Sequence, residues 1–195
     1  HRKARDIRRR TLGPEHVETA RSAHHLGFVH VFQGRYADAE RQYRHALNVR
    51  RKELGERHVD VARSLNDLGS LKRIQGELDE AESLYAEALA LRRALLGKKH
   101  PDLAQTLNRI AGLARHRGRF AESEKAYREA LSAATASLGA RHPFVASITN
   151  NLGLLHADAG HTGKAEALYK KAVALARRAA GGAHPELAGF LGNLA

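Results

Sequence analysis

The sequence predicts an all-α solenoid of antiparallel helix pairs, and three observations predict it. The first is a period of 42 residues: Leu12-Gly13 returns as Leu54-Gly55, Leu96-Gly97 and Leu138-Gly139, and Tyr43 returns as Tyr85, Tyr127 and Tyr169. A fixed period in this range marks a stacked array in which each unit buries its apolar face only against its neighbours. The second is composition, rich in Ala, Leu, Arg and Glu, with aromatics at 5% and charged residues at 28%; such chains favour exposed helices. The third is spacing inside one period, where apolar residues fall three and four apart, the repeat of a single helical face.

In chain order, Ala4, Ile7 and Leu12 align with Ala46, Val49 and Leu54, so residues 1–13 read as the tail of a preceding second helix. Four full repeats follow at 14–55, 56–97, 98–139 and 140–181, and 182–195 begins a further first helix. The second repeat shows the pattern. Over 58–76, Val61, Leu65, Leu68 and the stem of Lys72 make one stripe, and Gly69 beside it permits close approach of a partner helix. Gly76 and Glu77 make the turn. The next stretch places Ala81, Tyr85 and Ala88 on one face, where small alanines let the paired helix nestle against the ring. Gly97 then stops the helix, and Pro101, like Pro143 and Pro185 in later units, sits where a first helix starts and needs no N–H. Arrays normally end in polar capping repeats. Neither end reads as one, so the chain is expected to be an excerpt of a longer array or to lean on flanking elements.

These residues resemble the tetratricopeptide repeat family. Its leucine-glycine pair followed by Ala, an aromatic and Ala is matched by Leu26-Gly27 with Ala39, Tyr43 and Ala46, by Leu68-Gly69 with Ala81, Tyr85 and Ala88, and by Leu152-Gly153 with Ala165, Tyr169 and Ala172. The third unit departs, with Ile110-Ala111, and Ser123 before Tyr127 and Ala130. The longer unit, with its LG…HP punctuation and the cores at Leu65-Asn66 and Leu107-Asn108, resembles the kinesin light chain type. The resemblance implies a right-handed superhelix whose first helices line a concave, ligand-binding groove.

Composition excludes several functions. The chain has no Cys, hence no disulfide, thiolate metal site or cysteine nucleophile. No run approaches the roughly 20 apolar residues of a membrane span, so a cytoplasmic location is expected. The periodic His16, His58, His100, His142 and His184 occupy equivalent loops. Packed helices stand about 8–10 Å apart, and zinc ligands must lie within about 2 Å of the ion. These rings therefore cannot share a metal and read as loop or cap residues. Gly160 to Ala165 is only superficially a phosphate loop: two residues separate its glycines and Ala165 follows Lys164, so it reads as a turn opening a helix. No nucleophile and base are arranged by spacing, and neither catalysis nor a cofactor is expected.

Function is left to the surface that packing does not use. On the first helices a second stripe carries Arg21, His24 and Phe28; then Arg63, Asn66, Ser70 and Arg73; then Gln105, Asn108 and Arg115; then Asn150. The Asn ladder reads either as amides offered to a peptide backbone or as structural bonds between helices. The arginines can grip carboxylates bidentately. The expected partner is a protein or an extended acidic peptide. Two alternatives stand beside it. The net charge is +12, and the first thirteen residues carry six Lys or Arg against one Asp, which suits nucleic acid. Uncapped ends could also stack, giving self-association or a regulatory array within a larger signalling protein.

Overall fold

A computed structural model describes residues 2–179 and 186–194. Among these the chain forms ten α-helices and no strand, the all-α solenoid class that the period predicts. His184 and Pro185, and most of the link to the final helix, lie outside the described residues. The chain divides into two compact units, His1–Leu95 and Leu96–Ala195, next to the repeat boundary at 97.

The first unit contains α1 (Arg2–Leu12), α2 (Val17–Phe32), α3 (Tyr36–Leu54), α4 (Val59–Gln75) and nearly all of α5 (Leu78–Leu96). Helix α1 packs on α2, α2 on α3, and α3 on α4. Its main core joins Tyr43, Leu47, Val61, Leu65, Leu68, Leu71 and Ala88, with Ala20, Ala23, Ala46 and Val49 forming a smaller cluster before it. The second unit contains α6 (Pro101–His116), α7 (Phe120–Leu138), α8 (Pro143–Asp158), α9 (Thr162–Ala179) and α10 (Leu187–Leu194), each packed on the next. There Ala146, Ala172, Val173, Ala176 and Phe190 form a core at the α8–α9–α10 end.

The Leu-Gly/Tyr pairing sets how closely the two helices of a repeat approach. A Cβ added at Gly69 would stand 2.9 Å from the Tyr85 ring, and one at Gly153 would stand 2.6 Å from Tyr169. The ring thus lies on bare backbone, a packing only glycine allows. The third repeat keeps its helices together differently. Ala111 replaces the glycine, and Ser123, fully buried where other repeats have alanine, donates its hydroxyl to the Ala111 carbonyl at 2.8 Å. The buried hydroxyl is satisfied and the departure from the pattern is absorbed.

The four periodic histidines among the described residues are helix N-caps. The Nδ1 atoms of His16, His58, His100 and His142 accept the backbone N–H two residues on, from Glu18, Asp60, Asp102 and Phe144, at 3.1–3.2 Å. Each cap satisfies one of the four N–H groups that a helix start leaves unpaired. Pro101 and Pro143 follow their caps directly, where the missing N–H is harmless. His58→Ala is expected to cost about 1 kcal/mol, and His58→Asn, which can accept the same N–H, to recover most of it. Urea midpoints followed by circular dichroism check both.

Candidate functional site

In the first unit the expected stripe splits into an exposed part and a buried part. Arg21, Arg63 and Arg73 are exposed, and Arg21 holds Glu18 at 2.7 Å. Phe28 is 56% exposed and stacks edge-on against Phe32, itself 77% exposed, with ring centroids 4.7 Å apart. Three other residues of the stripe are turned to the protein. Asn66 is fully buried and its amide donates to Asp67 at 3.2 Å. His24 is buried, with Nε2 3.1 Å from Asp67. The Ser70 hydroxyl donates to the Asn66 carbonyl and accepts from the Tyr85 hydroxyl, at 2.9 and 3.1 Å. Asn66 and Ser70 therefore tie α4 together and to α5, because a buried amide or hydroxyl must find its partners inside.

The exposed arginines meet a residue that was not on the stripe. A cavity of about 200 Å³ is lined by Arg21, His24, His25 and Phe28 of α2, Arg50 of α3 and Arg63 of α4. Arg50 is buried although charged. Its Nη1 donates to the Ser64 hydroxyl at 2.6 Å and the Asp60 carbonyl at 3.3 Å, and lies 3.4 Å from His24 Nδ1. Burial holds its pKa below the usual guanidinium range, with Asp60 and Asp67 opposing and Arg63 and Arg21 adding to the fall. Burial also pushes the His25 pKa down, helped by His24, Arg21, Arg50 and Arg63, so its ring sits in a positive field. The sequence carried a signal for Arg50: Arg50 and Arg92 recur at the 42-residue step where the other repeats have Ala134 and Ala176, a position made for burial.

The second unit carries a different surface. Asn108, Asn150, Asn151 and Asn193 line a cleft of about 550 Å³ with Phe144, Ser147, Glu186, Gly189 and Phe190. Two amide pairs cross it: Asn151 donates to Asn108 at 3.1 Å and Asn193 donates to Asn150 at 3.0 Å. The ladder thus links one first helix to the next. Gln105 is half-buried. Arg115, also half-buried, faces Asp158 at 3.2 Å. Gly160 and His161 form the turn before α9, as expected of that glycine-rich stretch.

Among the described residues no group of three or more His, Asp or Glu side chains is placed to hold a metal ion, and no helix is long and apolar enough to cross a membrane. The described surface thus offers basic, aromatic and amide groups, which bind by charge, stacking and hydrogen bonding.

Comparison with known proteins places this arrangement. No curated protein sequence matches the chain. Among solved structures, BtubC (BKLC) from P. vanneervenii superposes with a TM-score of 0.75 at 25% identity, over 86% of this chain and 66% of that one. A putative kinesin light chain from Podosopora anserina with nearly identical TPR-like repeats superposes with a TM-score of 0.76 at 20% identity, over 92% of this chain and 85% of that one. A variant of it gives 0.73, also at 20% identity, over 89% and 82%. The tetratricopeptide repeat family model matches residues 1–52, 23–94, 60–111 and 102–178. With the Leu-Gly, Tyr and Ala positions packed as that pattern requires, the chain belongs to the tetratricopeptide repeat family.

Proposed function

We propose that the chain is a non-catalytic scaffold that binds an extended acidic peptide segment through the exposed faces of its first helices. Tetratricopeptide repeats generally serve as protein–protein interaction scaffolds. The observation that carries the acidic preference is the cavity of the first unit, where three arginines and two histidines line one space with no carboxylate among the lining residues. A guanidinium presents five donors in a fixed fork that matches a carboxylate, so such a surface selects acidic over neutral segments. In the second unit the amides of Asn108 and Asn151 offer donors and acceptors suited to an extended backbone. Of the predicted contact residues, Arg21, Phe28, Arg63, Arg73, Gln105, Asn108 and Arg115 stay in this role, while His24 forms a wall, Asn66 and Ser70 hold the helices, and the buried Asn150 accepts from Asn193.

The test is fluorescence anisotropy against a panel of acidic, neutral and basic twelve-residue peptides. Acidic members are expected to bind best. Arg73→Glu combined with Arg115→Glu is expected to lower their affinity at least tenfold with helicity unchanged. Equal binding of all three classes, or unaltered affinity in the variant, overturns the reading.

A further inference from the structure

We infer that the cavity between α2, α3 and α4 in the first unit binds the phosphate group of a phosphorylated peptide side chain. The inference rests on the proposed function and sharpens it at one subsite.

Three features distinguish this cavity from an ordinary basic surface. Guanidinium groups reach it from three different helices: Arg21 from α2, Arg50 from α3 and Arg63 from α4. A solvated helix face supplies charges from one helix only. Second, Arg50 is a fixed wall and not a mobile surface side chain. It is 3% exposed, its bonds run through Nη1 to α4 and His24, and its Nε is buried with no hydrogen-bond partner. Among the described residues no carboxylate lies within ion-pairing distance of it, and Asp60 and Asp67 act only from farther away. A buried cation without an ion-pair partner is costly, and an anion entering the cavity removes that cost. Third, the cavity holds about 200 Å³, room for one compact anionic group and too little for a folded ligand.

Ligand chemistry separates phosphate from carboxylate. A carboxylate brings one charge and two oxygens, which one guanidinium fork saturates. A phosphate monoester brings a charge of about −1.5 to −2 and three strong acceptor oxygens at neutral pH, the complement of an arginine cluster. Glu18 on Arg21, Asp60 at 3.9 Å from Arg63 and Asp67 at 3.1 Å from His24 are the competing carboxylates, and none of them lines the cavity. Exposed Phe28 at the edge gives the flanking peptide an apolar surface, which favours a peptide over a bare ion. A single phosphate site does not by itself track a nucleic-acid backbone of regularly spaced phosphates.

The experiment uses the whole chain and the capped hexapeptide Gly-Gly-phosphoserine-Phe-Gly-Gly, with its Ser and Glu counterparts, inorganic phosphate and a single-stranded oligonucleotide as the other arms. Affinities come from NMR titration, and the His25 ring reports occupancy because an anion at this site relieves the positive field and raises its pKa. The phosphopeptide is expected to bind at least tenfold tighter than the Glu form and than inorganic phosphate, and to shift His25. Arg21→Gln with Arg63→Gln, both exposed and so harmless to folding, is expected to remove at least tenfold of that affinity; Arg50→Met is expected to remove more if it folds. Equal binding of the Glu form reduces the cavity to a plain acidic subsite and overturns the phosphate inference. Equal binding of inorganic phosphate overturns the peptide part. Tighter binding of the oligonucleotide through the same arginines overturns both parts in favour of nucleic acid. If acidic peptides still bind in an Arg73- and Arg115-dependent way while phosphate adds nothing, the inference fails and the scaffold reading stands. If neither acidic nor phosphorylated peptides bind, both fail.

Discussion

Tyr85→Ala is expected to destabilise the first unit by about 4 kcal/mol, the largest single effect in the α4–α5 pair. The ring is fully buried and lies on the bare backbone of Gly69, with its hydroxyl donating to Ser70. Removing it leaves a cavity that two rigid helices cannot collapse to fill. The contribution divides into parts that separate variants read. Tyr85→Phe removes only the hydroxyl and leaves the Ser70 oxygen bonded to Asn66, so about 1 kcal/mol is expected. Gly69→Val attacks the same contact from the other side: its Cβ would stand 2.9 Å from the ring, and about 2 kcal/mol of overpacking is expected despite the better helix propensity. Denaturation midpoints give the totals. Amide exchange gives the location, since in a stacked array the loss should concentrate in α4 and α5. A Tyr85→Ala loss below that of Tyr85→Phe would refute the packing account.

That contact was legible in the sequence because packing repeats at the period. Tyr85 and Ala88 recur every 42 residues, Leu68-Gly69 and Ala81 recur in every repeat but the third, and a helical stripe follows directly from their spacing. The histidine caps were legible as loop or cap residues from their equivalent places in successive repeats. The polar stripe was less so. Stacking equivalent positions side by side put His24, Asn66, Asn108 and Asn150 in one open row. Bonds join residues 43 apart, the helix-to-helix alternative that the sequence left open for the Asn ladder: His24 with Asp67, Asn108 with Asn151, Asn150 with Asn193. A shift of one residue turns a side chain by about 100° around a helix, enough to exchange a ligand-facing reading for a helix-bridging one. The signal was the adjacent polar pairs, Asn66-Asp67 and Asn150-Asn151, inside otherwise apolar helices. Arg50 was missed for a related reason. A charged residue in a basic chain reads as surface, and only its alternation with Ala134 and Ala176 shows that the site is buried.

The largest electrostatic effect is expected at Lys72, read in the sequence only for its aliphatic stem. Its ammonium is buried and contacts Glu40 of α3 at 2.8 Å, Glu77 of the turn at 3.0 Å and Glu80 of α5 at 3.2 Å. Arg44 bridges Glu40 and Glu80 from the other side, at 2.8 and 2.7 Å. Burial pushes the carboxyls of Glu40 and Glu80 up, but hydrogen bonds from Lys72 and Arg44 outweigh it and hold both below the ordinary range. Burial likewise pushes Lys72 down, and its bonds to Glu40, Glu77 and Glu80 outweigh that and raise it. The signs follow. Depressed carboxylates contribute stability above their ordinary value of about 4.5, lost as pH falls through their folded values. The raised ammonium contributes stability below about 10.5, lost as pH rises through its folded value. Lys72→Met keeps most of the stem and removes the charge, leaving Glu40 and Glu80 to Arg44 and taking the ammonium away from Glu77. A loss of about 1–2 kcal/mol at pH 7 is expected, since the ammonium is buried but the carboxylates it leaves are partly exposed and screened by water. Lys72→Ala adds the lost stem packing. Midpoints measured against pH decide the cause: the wild type should lose stability steeply below about pH 4.5, and Lys72→Met should lose less, because its carboxyls have less to give up on protonation. Parallel pH profiles in the two proteins would show that Lys72 acts through its stem and not through its charge.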